Sequence, residues 1–489
     1  MSEDSLFPDL VFQKPFKRFG EDIETEYRCP KCHHEWSGEP KAGGDRQVVP
    51  DLNKSGVVSE RVVKPPYKVP SMEEIAKIKA TNGLCVVSTF SGCGGSCLGF
   101  EMAGYKVLWA SEFINAAAET YVLNHEGVIL DTRDIREVTP EEILEKIGKK
   151  PGEIDVLEGS PPCASFSTAG KKEAGWGKVR KYSDKKQRTD DLFFEYARIL
   201  KGLQPKVFVA ENVSGLVKGT AKGYFLEILG KLKDCGYYVE ARLLDASKLG
   251  VPQARQRVIF LGVRNDIGKF PIFPEPLPYE YTVRDALPWI VKHGTAPPHE
   301  DFAKNDRSID STMVDSDEPS PTIMASGENK GVGWVDAMIG ERAIHDTSGQ
   351  FSQGDVTDRP APTVTADVVG HLFVEKEADI SRFAIGEEWV KLREGEKSEK
   401  YLNLMRANRD KPCPTVTASG GHGGTASVTH PIERRKFSIL ELKRICGFPD
   451  DFRLTGSYQN QWERLGRSVP PVMMMEIAKT IKEKILCAG

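Results

Sequence analysis

A cysteine that follows two prolines is the strongest candidate for covalent chemistry in the sequence. Cys163 comes directly after Pro161 and Pro162, where the apolar run IDVLEGS ends. Because proline restricts the backbone, the thiol is expected on a constrained turn at the end of a strand. Free cysteines are mostly buried and inert, whereas a partly exposed thiol on such a turn can act as a nucleophile. The position therefore predicts that Cys163 is reactive.

Three charged side chains are expected near this cysteine. Glu211 lies at the end of the next apolar run, KVFVAENV, where its carboxyl group can face the thiol across a crevice. Further along, VPQARQRVIF places Arg255 and Arg257 at alternate positions entering a strand, so both side chains are expected on one face. A nucleophile, a carboxyl group and two cations can together carry out covalent and acid–base catalysis.

A second set of candidate residues follows the first three apolar runs. STFSGCGG predicts a glycine-rich turn, which lets a ligand approach the backbone closely. Glu112 ends the second run, where a carboxylate can bind both hydroxyls of a ribose, and Asp134 follows the third. A glycine-rich turn, Glu and Asp in this order are typical of sites for adenosine-containing cofactors. The turn lacks the G-x-G-x-x-G pattern, so it gives little support to a nicotinamide dinucleotide.

The segment between Cys163 and the predicted helix at Leu192 is strongly basic. Residues 171–188 contain eight Lys or Arg and two acidic residues, although the whole chain has a net charge of −4. A charged run with Gly-Trp-Gly, next to a candidate nucleophile, is typical of a mobile lid that contacts phosphates.

These residues must be positioned by a regular framework, and the sequence predicts one. Seven short apolar runs between residues 84 and 263 alternate with amphipathic segments of helical length. This alternation predicts an α/β fold with a doubly wound, mostly parallel sheet. Ligands of such sheets bind beyond the carboxyl ends of the strands, which is where the candidate residues stand.

The composition of the chain predicts four regions. Residues 1–80 read as an N-terminal extension, and residues 81–265 as the catalytic and cofactor-binding domain. Residues 266–430 are rich in Pro, Gly, Asp and Ser, repeat D-x-P-x-P-T-[IV]-x-A three times, and predict a smaller, irregular, β-rich domain without clear helices. Residues 431–489 regain helical patterning and are expected to return to the catalytic domain.

Composition limits the classes of function. With 67 basic and 71 acidic residues, the chain is neither a histone-like polycation nor an acidic solvating protein, yet a local basic surface can still bind nucleic acid. Ten scattered cysteines favour a reducing, cytoplasmic compartment. Neither a secretory leader nor a membrane-spanning run is evident. Cys29 and Cys32 form a single C-x2-C pair, half of a four-ligand zinc site, so no metal site is predicted and these two remain weak candidates.

Taken together, the motifs resemble the DNA (cytosine-5) methyltransferase family of prokaryotes and phages. The resemblance covers most of residues 83–265 and 410–480, and the ordered set PPC, ENV and Q-x-R-x-R is its most specific part. It implies a Rossmann-like, class I fold and transfer of a methyl group from S-adenosylmethionine to C5 of cytosine in a specific duplex DNA sequence. Residues 266–430 would then be a target-recognition domain that reads base edges in the major groove.

The resemblance also implies a role for each candidate residue. Cys163 would attack C6 of a flipped-out cytosine, Glu211 would hydrogen-bond N3 and the exocyclic amine, and Arg255 and Arg257 would hold the base carbonyl and a phosphate. The cofactor would be held by Phe90, Gly92, Gly94, Gly95, Glu112, Phe113, Asp134, Ile135, Leu192 and Ser468. A cognate restriction endonuclease, action as a monomer on DNA and a nucleoid-associated location are further expectations.

Two departures from the family pattern keep alternatives open. Ala164 stands where the family usually has Gln after the catalytic Cys, and Arg467 replaces the Asn of Gly-Asn-Ser-Val. One alternative is therefore a catalytically weakened DNA-binding protein on the same scaffold. Another is a tRNA cytosine-5 methyltransferase, although the large insert favours DNA. A nicotinamide-dependent dehydrogenase is the most distant alternative, because it gives no reason for PPC together with ENV.

Overall fold

The computed structural model describes residues 63–162, 191–217, 222–292 and 374–487, together with several short strands outside these ranges. The chain divides into two compact units, residues 1–65 and 66–489. In the first unit, Tyr27–Arg28 pairs antiparallel with Glu35–Trp36. Cys29, Cys32, Cys163, Ala164 and most of the predicted basic lid lie outside the described residues.

Seven strands of the second unit form one sheet in the order β3-β2-β1-β4-β5-β7-β6. Strand β7 runs antiparallel to both of its neighbours, β5 and β6, and the other four pairs of neighbouring strands are parallel. Each of the seven apolar runs forms a strand, and the prediction of a mostly parallel sheet is confirmed. The strands are β1 (Cys85–Thr89), β2 (Lys106–Ser111), β3 (Ile129–Asp131), β4 (Val156–Gly159), β5 (Val207–Val213), β6 (Tyr237–Asp245) and β7 (Gln256–Arg264).

The central strands are buried on both faces. Every residue of β1 and of β4 is buried, as the interior strands of a parallel sheet require. This explains why these runs are mostly apolar and do not alternate between apolar and polar residues. Glu158, on β4, is the charged exception within this layer and is only 1% exposed.

Six helices connect or precede these strands, and their ends follow local sequence signals. The fourth helix, α4, begins after Thr139, which forms a reciprocal capping box with Glu142, and ends at Gly148 in the left-handed conformation. A similar box between Ser71 and Glu74 begins α1. The helices are α1 (Met72–Ile78), α2 (Gly95–Met102), α3 (Asn115–Asn124), α4 (Pro140–Ile147), α5 (Leu192–Leu203) and α6 (Lys222–Lys233).

The expectation that residues 266–430 lack helices is wrong for the part that the structure describes. Short helices α7 (Val283–Ala286), α8 (Trp289–Lys292) and α9 (Ala384–Trp389) are present. Thr282 begins α7 through a capping box with Asp285, a local signal that the surrounding Pro- and Gly-rich composition obscured. Residues 293–373 of this region lie outside the described residues, apart from the antiparallel pair Ala343–His345 and Phe351–Gln353.

The C-terminal helices pack against the first half of the sheet domain. They are α10 (Ile439–Ile445), α11 (Tyr458–Arg467) and α12 (Pro471–Thr480), the last continued by a π-helical turn over Ile481–Leu486. Helix α12 lies so close to α2 that a Cβ on Gly99 would be 2.6 Å from the Cβ of Met474. The chain end therefore contributes to the same core as the glycine-rich turn. No helix of the described residues is long and apolar enough to cross a bilayer.

Candidate active site

The glycine-rich turn between β1 and α2 has an unusual backbone. Phe90, Gly92 and Gly94 have φ values of 53°, 59° and 91°, in the left-handed region that favours glycine. Phe90 occupies this region despite its side chain, which is a strained arrangement of the kind found at ligand sites. The turn is fixed because the Gly92 amide donates to Oε2 of Glu112 over 2.8 Å.

Glu112 occupies the end of β2 as the sequence predicted. Its second oxygen, Oε1, accepts a hydrogen bond of 2.6 Å from the amide of Ile114. The carboxylate is thus oriented by two backbone amides and is 8% exposed, at the wall of a cleft. Each carboxylate oxygen has more than one lone pair, so this arrangement leaves acceptor capacity toward a ligand.

An open cleft of about 930 Å³ lies at the carboxyl edge of β1, β2, β3 and β4. Gly94 does not line it; a Cβ on Gly94 would instead meet the imidazole of His125, behind the turn. The structure also brings Ser91, Cys93, Ser96, Arg133, Ser160, Pro162, Arg464 and Arg467 to the wall. Nine of the ten predicted cofactor residues line the cleft, namely Phe90, Gly92, Gly95, Glu112, Phe113, Asp134, Ile135, Leu192 and Ser468.

Asp134 belongs to an ion-pair bridge that sequence reasoning missed. Nη1 of Arg136 lies 2.8 Å from Oδ2 of Asp134, and Nη2 of the same side chain lies 2.6 Å from Oδ1 of Asp191. Asp191 directly precedes Leu192, which lines the cleft at the start of α5. The bridge therefore holds two parts of the cleft wall that are far apart in the sequence. Arg136 is two residues from Asp134, but nothing in the sequence pairs it with Asp191.

Glu211 and Arg257 come together at the edge of the sheet. Strands β5 and β7 are antiparallel neighbours, and Nε of Arg257 lies 2.7 Å from Oε1 of Glu211. Both side chains are largely buried: that of Arg257 is 13% exposed and that of Glu211 is 11% exposed. Beside them, the side-chain amide of Asn212 donates to the carbonyl of Pro161 over 3.1 Å. The ENV motif is thus attached to the backbone just before Cys163.

Arg255 occupies a different environment from Arg257. It lies between the short strand Gln253–Ala254 and β7, and only 2% of it is exposed. Its two amino groups donate to the carbonyls of Val416 and Gly466, over 3.2 and 3.0 Å. Burial lowers the pKa of Arg255 to about 9, which still leaves the group charged at neutral pH. Its predicted contact with a substrate remains a prediction.

A buried carboxyl group lies beneath the glycine-rich turn. Glu158 accepts hydrogen bonds from the hydroxyls of Ser88 and Ser96, the latter over 2.7 Å, and is approached by the thiol of Cys97. Burial raises the pKa of Glu158. Sequence reasoning did not single this residue out, although an acidic residue inside the apolar run IDVLEGS was a visible signal. Among the described residues, no group of three His, Cys, Asp or Glu could hold a metal ion.

Comparison with known proteins agrees with this architecture. Residues 84–483 match the model of the C-5 cytosine-specific DNA methylase family. The chain is 28% identical over 398 residues to the type II methyltransferase M.NgoFVII of Neisseria gonorrhoeae, covering 81% of this chain and 86% of that protein. M.NgoPII of the same organism is 29% identical over 412 residues, which cover 83% of this chain and 97% of that protein.

A solved structure shows the same fold. A protein described as a DNA modification methyltransferase encoded within an E. coli prophage superimposes with a TM-score of 0.53 and 21% identity, covering 82% of this chain and 99% of that one. The family model spans well over half of the chain, and the resemblance inferred from the motifs is confirmed. The chain belongs to the C-5 cytosine-specific DNA methylase family and is an S-adenosylmethionine-dependent enzyme that methylates C5 of cytosine in DNA.

Proposed function

We propose that the cleft at the carboxyl edge of β1 to β4 binds S-adenosylmethionine. The residues that line it fit the group: Glu112 and Asp134 offer carboxylates to hydroxyl and amine donors, and Phe90 and Leu192 offer apolar surface. When bound, the cofactor supplies an electrophilic methyl group.

Cys163 is proposed as the nucleophile. C5 of cytosine is a poor nucleophile, but addition of a thiolate to C6 turns the ring into an enamine that reacts at C5. The bond formed is between Sγ and C6, and it breaks again when the C5 proton has left. Pro162 lines the cleft and Cys163 is the next residue in the chain, which supports this assignment. An ordinary thiol has a pKa near 8.5, so a site of this kind must favour the thiolate, as nearby cations do.

Glu211 and Arg257 are proposed to hold the cytosine. Their contact of 2.7 Å at the end of β5 is the single observation that carries the proposal, because it joins ENV and Q-x-R-x-R at one place. Glu211 would hydrogen-bond N3 and the exocyclic amine and neutralise charge that develops on the ring. Arg257 would orient that carboxyl group and donate to the base carbonyl. Because the target carbon is inaccessible inside a duplex, the base must first be flipped out.

The same proposal includes the DNA target, a cognate restriction endonuclease, the monomeric state and the cellular location. The relatives are type II methyltransferases, which supports a specific duplex target and a cognate restriction endonuclease. Residues 266–430 would read the target, the basic segment 171–188 would contact phosphates, and the protein would act as a monomer. A DNA substrate and relatives from bacteria such as Neisseria gonorrhoeae support a cytoplasmic, nucleoid-associated location.

Methyl transfer to duplex DNA tests the proposal directly. We expect label from S-adenosylmethionine to appear in duplex DNA, and bisulfite sequencing to place it at one recurring sequence. Cys163→Ala should abolish transfer, and an oligonucleotide with 5-fluorocytosine at the target should form a stable adduct with the wild-type protein only. Cys487→Ala is the matched control, because Cys487 is exposed and lies near the end of the chain. Transfer to tRNA instead of DNA, or transfer that survives Cys163→Ala, would contradict the proposal.

A further inference from the structure

The carboxyl group of Glu158 connects both ends of the glycine-rich turn to β4. On the β1 side it accepts a hydrogen bond from the hydroxyl of Ser88, and on the α2 side it accepts one of 2.7 Å from the hydroxyl of Ser96. The thiol of Cys97 also donates to this carboxyl group, over 3.5 Å. Because the side chain of Glu158 is almost fully buried, these protein donors take the place of water.

One or two hydroxyl groups separate Glu158 from the cleft. On the α2 side, Ser96 itself lines the cleft. On the β1 side, Oγ of Ser88 lies 2.6 Å from Oγ of Ser91, and Ser91 lines the cleft. A buried acid is therefore joined to the cleft surface by two short chains of hydrogen bonds, one through Ser96 and the other through Ser88 and Ser91.

The ionisation of Glu158 determines the direction of these hydrogen bonds. An ionised carboxyl group only accepts, and a serine hydroxyl has a single proton to donate. Ser88 and Ser96 then both donate inward to Glu158, so Ser91 must be the donor in its contact with Ser88. Ser91 and Ser96 consequently present only lone pairs to the cleft. A neutral carboxyl group has a proton of its own to donate and can reverse one of the two chains.

None of the described groups that contact this carboxyl group carries a positive charge. Burial raises the pKa of Glu158, the hydrogen bonds from the two hydroxyls and the thiol oppose that effect, and the charge of Glu211 on β5 adds to it. The other titratable groups that face it are Tyr121 of α3, whose hydroxyl donates to Cys97, and Tyr196 of α5, whose hydroxyl donates to backbone carbonyls. Ionised Glu158 is therefore stabilised by a positive charge placed in the cleft.

The order of the strands relates this wall to the sulfur atom of the cofactor. With the ribose at Glu112, which ends β2, and the adenine at Asp134, which follows β3, the adenosine half occupies one end of the cleft. The rest of the cofactor extends toward β1 and β4, where Ser91 and Ser96 form the wall. The sulfur is positively charged in S-adenosylmethionine and neutral in S-adenosylhomocysteine, so an acceptor-only wall distinguishes the two.

We propose that ionised Glu158, acting through Ser91 and Ser96, makes the cleft prefer the positively charged methyl donor over the neutral product. The inference rests on the proposed placement of S-adenosylmethionine in this cleft. Glu158 is a positioning residue, because it contacts no ligand and orients the hydroxyls that do. Since the product lacks the positive charge, the same arrangement favours its exchange for a new methyl donor.

Equilibrium binding at several pH values, without DNA, tests the proposal. Every protein in the series carries Cys163→Ala, so that titration of this thiol does not contribute. Calorimetry gives the dissociation constants of S-adenosylmethionine and S-adenosylhomocysteine, whose amino acid and adenosine groups are the same. The ratio of the second constant to the first should rise with pH as Glu158 ionises. Glu158→Gln should make the ratio independent of pH and lower its highest value about tenfold, the size of one charge-assisted contact.

Two further variants separate the charge from packing. Ser96→Ala keeps the acid and removes one of the oriented hydroxyls, so the ratio should fall and still rise with pH. Glu101→Gln is the matched control: Glu101 is also a buried acid of α2, but its carboxyl group lies 3.0 Å from Nδ1 of His125, behind the turn. In this variant the ratio should keep its pH dependence. Thermal unfolding shows which variants are folded.

The remaining outcomes separate the possible failures. If Glu158→Gln weakens both ligands equally, or weakens neither, the ratio is unchanged and the proposal is overturned. A pH dependence that survives Glu158→Gln, or that Glu101→Gln abolishes, also contradicts it. Should Glu158→Gln fail to fold, an unchanged ratio in Ser96→Ala overturns the proposal instead. If the parent protein binds neither ligand, the proposed cofactor cleft itself fails.

Discussion

Nε of Arg257 lies 2.7 Å from Oε1 of Glu211, across the antiparallel pair formed by β7 and β5. The contact joins two motifs separated by more than forty residues of sequence, and it does so at the edge of the sheet that also carries the cleft. An ion pair in this position orients the carboxyl group, and the proposed contact with the base would use its second oxygen.

Removing this carboxyl group should affect catalysis and spare cofactor binding. We expect Glu211→Gln to lower the single-turnover rate of methyl transfer about 100-fold or more, the contribution typical of a positioned acid–base group. The dissociation constant for S-adenosylhomocysteine should stay within about twofold, because no cofactor contact is assigned to Glu211. Glu240→Gln is the matched control, since Glu240 forms a similar pair with Arg242 on β6. A wild-type rate for Glu211→Gln would contradict the assignment.

The bridge made by Arg136 should contribute to cofactor affinity. The side chains of Asp134 and Asp191 are 24% and 33% exposed, so screening limits each ion pair to about 0.2–1 kcal/mol. We expect Arg136→Ala to weaken S-adenosylhomocysteine binding about two- to fivefold. A double-mutant cycle with Asp191→Asn should show that the two effects are not additive. Fully additive effects would mean that Arg136 acts on the cofactor without Asp191.

Glu158 should make stability depend on pH in a predictable direction. Burial raises the pKa of this carboxyl above its ordinary value of 4.5, so the folded protein holds the proton more tightly than the unfolded chain. The stabilisation is complete below about pH 4.5 and is lost progressively as pH rises toward the folded-state pKa. Glu158→Gln, which cannot ionise, should remove this dependence. The free energy of unfolding, measured by urea denaturation at several pH values, checks it.

A second substitution at the same position separates charge from hydrogen bonding. Glu158→Ala leaves the buried hydroxyls of Ser88 and Ser96 without their acceptor, so we expect a loss of about 1–3 kcal/mol at every pH. If Glu158→Gln loses as much stability as Glu158→Ala at every pH, ionisation of the wild-type carboxyl is not the cause.

The contact between α2 and α12 should tolerate no side chain at position 99. A Cβ on Gly99 would lie 2.6 Å from both the carbonyl oxygen of Pro471 and the Cβ of Met474. We therefore expect Gly99→Ala to lower the free energy of unfolding by about 1–3 kcal/mol. Gly230→Ala on α6 is the control: nothing lies within 4 Å of its added Cβ, so it should stabilise the helix by about 0.5–1 kcal/mol. Thermal unfolding of the two variants compares them.

Local patterns predicted the framework because they are properties of single segments. The runs that became β1 and β4 are mostly apolar because both of their faces are buried. The direction of the strands then determines which residues stand at the edge of the sheet where ligands bind. Contacts between distant segments were not predictable in this way. Arg255 was expected beside Arg257 from strand alternation, yet the chain changes strands at that residue and the guanidinium meets residues 416 and 466. The pairing of Arg136 with Asp191 also depends on tertiary packing.

The two carbonyls that Arg255 binds have a practical consequence for building chimeras with new target specificity. One acceptor, Val416, lies inside the region predicted to read DNA, and the other, Gly466, directly precedes Arg467 and Ser468, which line the cleft. A graft limited to residues 293–373 keeps both acceptors. A graft that continues to residue 430 replaces the acceptor at Val416. If the donor's backbone differs there, the buried guanidinium of Arg255 loses an acceptor, and both the grafted region and the adjoining wall of the cleft are destabilised.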